Sequence, residues 1–182
     1  MAALHSLLML LLGVFCTQAE VPVQPDFDLE KFSGTWHIMA AVSNCPIFQS
    51  MRDTMTTSAA IVKPLPNGDM HLMVGYPMAG ECKKVGMLLK KTDQPGHFTN
   101  EENGRKDIRV MATDYETHGF LYYFKEVPGE PSSTTLQLLT RVPEATPEMM
   151  EKFKEHYHHL GLTDDLMVAL PESDVCAKML SR

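Results

Sequence analysis

The sequence predicts an all-β protein, an eight-stranded antiparallel up-and-down β-barrel with one C-terminal α-helix packed outside it. Three observations lead there. From Gly34 onward the chain breaks into short alternating apolar and polar segments separated by turn residues, the signature of half-buried strands. After residue 146 the apolar period changes, once, to a helical one. The 182 residues, 44% apolar and 21% charged, hold no internal repeat and no linker long enough to mark a second domain, which suits one sizeable core. Consecutive strands with short connections favour closure, because a barrel has no exposed sheet edge.

Each element has its own warrant. "TWHIMAAV" sets Trp36, Ile38, Ala40 and Val42 on one side of a first strand. "TTSAAIVKP" runs into Asn67-Gly68, a hairpin signal because both residues tolerate positive φ. "MHLMVGY" then offers Leu72, Val74 and Tyr76 on one face, and "KKVGMLLKK" offers Val85, Met87 and Leu89. "HFTN" is a short fifth strand, and "KDIRVMATD" alternates Ile108, Val110 and Ala112 against Asp107, Arg109 and Met111. "HGFLYYFKEV" and "TTLQLLTRV" complete the eight, giving a barrel over about 33–142. Both faces of "GFLYYF" are apolar, so something must cover its outer side. The cover is a helix over about 147–160: Thr146 caps it, Pro147 opens it, and Met149, Met150, Phe153, Tyr157 and Leu160 share a face before Gly161 stops it. "LMVALP" offers a short ninth strand.

The first 19 residues read as a signal peptide. An apolar run too short to span a bilayer ends at small Thr17 and Ala19, although no Lys or Arg precedes it. The mature chain, 20–182, is then secreted and extracellular, and nothing in it is apolar enough to cross a membrane. A net charge of −7 without a Lys/Arg stripe argues against nucleic acid and anionic membrane surfaces as partners. Loss of the leader removes Cys16 and leaves Cys45, Cys82 and Cys176, an odd number for an oxidising compartment: one pair and one leftover.

Trp36 in Gly34-Thr35-Trp36, the turn Thr113-Asp114-Tyr115 and Arg141 at the end of the eighth strand occur in that order between a leader and a C-terminal helix. In this the chain resembles the lipocalins, over essentially the whole mature length. The resemblance implies a lipocalin-type barrel whose closed end carries Arg141 stacked on Trp36, a contact contributing about 0.5–2 kcal/mol. It also implies a bond between Cys82 and Cys176, since the family's common disulfide ties the start of the fourth strand to the tail (171–182), and "GECKK" and "SDVC" match its surroundings. Cys45 is then the odd thiol, at the start of the first mouth loop. Family members use a cysteine in the matching loop either as a reactive thiol or as a bond to a partner protein. Here the nearest following cation is Arg52, so the local sequence gives little reason for an activated thiolate.

An eight-stranded barrel is wide enough for one small ligand. The inward set read from the alternation is Ile38, Ala40, Ser58, Leu72, Val74, Tyr76, Val85, Met87, Leu89, Ile108, Val110, Leu121, Tyr123 and Leu139. These side chains either fill a solid core or line a cavity for a small hydrophobic molecule such as a fatty acid or retinoid. Small Ala40, Ser58 and Gly119 argue for space, and the lack of an evident inward Lys or Arg favours a neutral ligand. Most of the methionines serve as core filler on this reading. Catalysis is not expected. The family's prostaglandin-isomerising members use an inward thiol on the second strand, and Ser58, which stands at that position, has no adjacent base to activate it. No cofactor or metal is expected either: Glu155, His156 and His159 suit a solvated helix end. The alternative reading from another class is a scaffold that binds a protein partner through its mouth loops and a disulfide at Cys45.

Overall fold

The computed structural model describes residues 20–176; the expected signal peptide and the last residues of the tail lie outside the described residues. Eight strands, β1 (Gly34–Ser43), β2 (Ser58–Pro64), β3 (Met70–Met78), β4 (Glu81–Lys91), β5 (His97–Asn100), β6 (Arg105–Thr113), β7 (His118–Glu126) and β8 (Ser133–Thr140), each pair antiparallel with the next. β1 pairs with both β2 and β8, which closes the sheet into a barrel. Three α-helices accompany it among the described residues: α1 (Leu29–Phe32), α2 (Pro46–Met51) and α3 (Pro147–His159).

The expected ninth strand is present as β9 (Met167–Ala169), outside the barrel on the far half of β1. β2 serves β1 from Gly34 to Ile38, and β9 serves it from Ala40 to Val42. Thr57 joins the two partners, its backbone N–H donating to the Pro171 carbonyl at 2.8 Å and its hydroxyl to the Leu170 carbonyl at 3.2 Å. Every backbone polar group at this junction of strands needs such a partner.

Two β-bulges re-aim the side chains. One falls at Met39, between the pairs Ile38↔Leu139 and Ala40↔Leu138; the other falls at Met111, between Val110 and Ala112. An extra residue in one strand inverts the in–out alternation beyond it. Ala40 and Val42 therefore face outward. Ala40 is not part of the lumen wall, a correction to the strict alternation read from the sequence, and Ala112 is shifted in the same way.

The outer face that needed covering is covered. Phe153 and Tyr157 of α3 are fully buried against Phe120, Tyr122, Leu136 and Leu138, and the Phe120 and Phe153 rings stack 6.1 Å apart. Burial of two such side chains contributes about 1.5–3 kcal/mol each. Thr146 caps the helix by accepting from the Met149 N–H at 3.3 Å, and Leu160 is its C-terminal cap, one residue short of the expected end.

Candidate ligand-binding site

The lumen has a floor, and Arg141 locks it. The guanidinium lies 3.6 Å over the Trp36 ring and donates to the carbonyls of Thr35 (2.9 Å), Lys31 (3.0 Å) and Tyr115 (3.0 Å). Gly34, at φ +97°, brings the chain into the strand beneath it; a Cβ there would lie 3.4 Å from the guanidinium. Trp36 donates from its ring N–H to the Phe32 carbonyl at 2.9 Å, and the Phe32 and Trp36 rings lie 4.9 Å apart. Asp114 ties the β6–β7 turn by accepting from the backbone N–H groups of Thr117 (2.8 Å) and His118 (2.9 Å) and from the Thr117 hydroxyl. Partial burial raises its pKa, but these hydrogen bonds outweigh burial and bring the carboxyl down to about 2. Thr113 accepts from the Tyr115 N–H at 2.9 Å, and the Tyr115 hydroxyl accepts from the Asp28 N–H at 3.1 Å, so the turn also holds the entry to α1.

Above the floor, the predicted inward residues divide by height. Ile38, Leu72, Leu89, Ile108, Val110, Leu121 and Leu139 are buried and pack with Phe27, Phe98, Ala60, Val62 and Met70 into a filled lower half. Phe27, Phe98 and Met70 were not in the expected set. Gly119 leaves no space there: a Cβ on it would meet Phe32 at 3.2 Å. In the upper half the same inward alternation brings Val74, Tyr76, Val85, Met87 and Tyr123 to positions that are only partly covered, and Val85 is 45% exposed. Ser58 shares the inward face with Ile38, its partner on β1, and edges a cavity of about 210 Å³ beneath α2 whose walls include Met51, Met55 and Tyr76.

Polar groups also line the mouth. The half-buried Cys45 sits at the head of α2, its N–H donating to the Ser43 hydroxyl at 3.1 Å, and has no disulfide partner among the described residues. Burial, and then the neighbouring Cys45, push the inward Tyr123 hydroxyl up to about 12. Lys106 and Lys125 also point inward, which the sequence reading missed. Lys106 lies two residues from Ile108 on β6, Lys125 lies two from Tyr123 on β7, and the two lysines are cross-strand partners. Their strand parity was the available signal.

On the outside, Cys82 and Cys176 are bonded across 94 residues, with Cα atoms 5.1 Å apart, and pack the tail against Ala59, Ile61 and Met73. His156 lies against Phe120, ring centroids 4.6 Å apart, and His159 turns back to the Glu155 carbonyl at 2.7 Å. No group of three or more potential metal ligands gathers among the described residues.

The model of the lipocalin / cytosolic fatty-acid binding protein family matches residues 33–174. The chain belongs to the lipocalin family. It is 36% identical to lipocalin-15 of Homo sapiens, over 97% of this chain and 95% of that one. It is 34% identical to the prostaglandin-H2 D-isomerase of Felis catus over 97% of both chains, and 30% identical to a lipocalin of Rhinella marina over 91% of both. The solved structure of the siderocalin Ex-FABP shares the fold at a TM-score of 0.71 and 24% identity, covering 79% of this chain and 95% of that one. In this lipocalin the barrel is locked at its floor, filled in its lower half and only partly covered at the end that carries α2 and Cys45.

Proposed function

We propose that this lipocalin is secreted and binds and transports a small hydrophobic molecule, of the fatty-acid or retinoid type, in the upper half of its barrel. The observation that carries the reading is an apolar wall that the core beneath it leaves partly uncovered. Val85 faces the lumen yet is 45% exposed, and Val74, Met87, Tyr76 and Tyr123 around it are only partly covered. Apolar surface held away from its own core in a concave site is a binding surface for an apolar ligand. The Cys82–Cys176 disulfide supports passage through an oxidising compartment.

Transport without catalysis fits the polar groups of the lumen. Ser58 stands where the family's isomerases carry their thiol, and among the described residues its hydroxyl hydrogen-bonds the Thr56 carbonyl, at 3.3 Å, and no base that could activate it. Native mass spectrometry of protein collected from the medium of expressing cells tests the reading: a co-purifying lipid-sized mass that organic extraction removes is expected. Protein retained in the cells, or secreted protein that takes up no member of a fatty-acid and retinoid panel, would contradict it.

A second reading has an observation of its own. Ile47 and Met51 on α2, beside Cys45, are 70% and 39% exposed, an apolar rim suited to a protein partner that a disulfide at Cys45 would then hold. A Cys45→Ser variant losing a reducible high-mass species seen with the native chain would favour it.

A further inference from the structure

We propose that Asn103 is a site of spontaneous deamidation in the folded protein, converting with time to aspartate and isoaspartate, while Asn67, in an identical Asn-Gly pair, is protected.

The two pairs occupy hairpin turns, Asn67-Gly68 between β2 and β3 and Asn103-Gly104 between β5 and β6. The atoms of such a pair define the reaction. The Gly104 backbone nitrogen attacks the Asn103 side-chain carbonyl carbon and closes a five-membered succinimide. Its proton leaves with the side-chain nitrogen as ammonia. Water then opens the ring at either carbonyl, giving aspartate or isoaspartate. One water is consumed and one ammonia released, so no oxidant or reductant takes part. Glycine suits the attack because no side chain crowds its nitrogen.

The fold needs the glycine at both turns. Gly68 lies at φ +86° and Gly104 at φ +104°, and a Cβ on Gly104 would come within 2.6 Å of the Glu126 carbonyl oxygen. Hydrogen bonding is what separates the pairs. The Asn67 amide is held at both ends: its NH2 donates to the Asp69 carboxylate at 2.7 Å, and its oxygen accepts from the Asp69 N–H at 3.0 Å. The nucleophile there is tied as well, the Gly68 N–H donating to the Leu65 carbonyl at 2.8 Å. Attack at Asn67 has to break these bonds. Asn103 is exposed, and neither its side chain nor the Gly104 N–H makes a hydrogen bond among the described residues. Its backbone sits in the left-handed region at φ +55°, which an L-residue loses little by leaving.

Conversion changes the turn in two ways. The connection already carries Glu101 and Glu102, and the Glu102 carbonyl holds the buried Lys106 ammonium. Aspartate adds a third carboxylate beside them. Isoaspartate lengthens the backbone of the turn by a carbon.

The test incubates the mature chain at neutral pH and body temperature, beside a reference sample reduced and kept unfolded in guanidinium chloride. Reduction and trypsin then place Asn103 in peptide 92–105 and Asn67 in peptide 53–83, and tandem mass spectrometry follows the acid at each position. In the folded protein Asn103 should convert about tenfold faster than Asn67, the effect of one or two hydrogen bonds broken before attack. In the unfolded reference the two should convert at similar rates. Equal rates in the folded protein, or an Asn103 that keeps its amide after the reference has lost it, overturns the proposal. So does an equal bias towards Asn103 in the reference, which would assign the difference to local sequence and not to the fold.

Discussion

Arg141 shows how much one side chain can hold. It covers Trp36 and satisfies three backbone carbonyls, of Lys31, Thr35 and Tyr115. Arg141→Met keeps some of the packing and removes every donor, so a loss of about 3 kcal/mol is expected in urea denaturation, with the floor opening first. Arg141→Lys should recover little of it, since one ammonium cannot reach three divergent acceptors while lying flat on an indole. Asp114 gives a pH signature. Its folded-state pKa of about 2 lies below the ordinary carboxylate value of 3.8, so the stability it contributes is present above about pH 4 and is lost as pH falls towards 2. Asp114→Asn should flatten that part of the stability–pH profile; an unchanged profile would assign the acid transition to other groups. Trp36, Asp114 and Arg141 were readable in the sequence because each motif residue performs a local task at a turn or a strand end. Lys106 and Lys125 were not, because a lysine near the end of a strand reads as solvated until the register fixes the face it occupies.

At the scale of elements the reading succeeded wherever a strand kept its period and failed where a bulge broke it. β3, β4 and β7 keep a simple alternation, and their predicted inward residues share the lumen face. β1 does not, because the extra residue at Met39 passes Ala40 and Val42 to the outer layer under α3. Nothing in "HIMAAV" marks a bulge, since Met, Ala and Val suit either face. Two substitutions separate the faces. Ala40→Phe overpacks the sheet beneath α3 and should cost about 1–3 kcal/mol with ligand affinity unchanged once folded. Val85→Phe adds volume to a side chain that is 45% exposed within the lumen, so stability should hold while affinity for an apolar reporter falls by about tenfold. Thermal melts and reporter titrations on both variants check the assignment, and the reverse pattern would return Ala40 to the wall.

For the molecule as a whole, two fixtures set the shape: the locked floor and the disulfide that pins the tail outside β2 and β3. Closing a loop of 94 residues restricts the unfolded chain by about 4–5 kcal/mol in the chain-entropy view, so a Cys82→Ser, Cys176→Ser double variant should unfold at much lower urea while retaining ligand affinity under native conditions. Cys45 carries no such duty, and Cys45→Ser should leave the unfolding midpoint unchanged, serine being at least as good a residue at the head of a helix. The eight-strand order, the outer helix and the closed end could all be read from residue patterns, because each follows from local periodicity or a compact motif. How far the barrel is filled could not, because it depends on side chains from distant strands meeting at one height. The fullness of the upper barrel is therefore what most needs measuring, and a fluorescence titration of the native protein with 1-aminoanthracene, run beside Val85→Phe, does so directly. One saturable site per chain, weakened in Val85→Phe without loss of stability, is the expected result; no saturation, or identical binding by the two proteins, would contradict an open lumen.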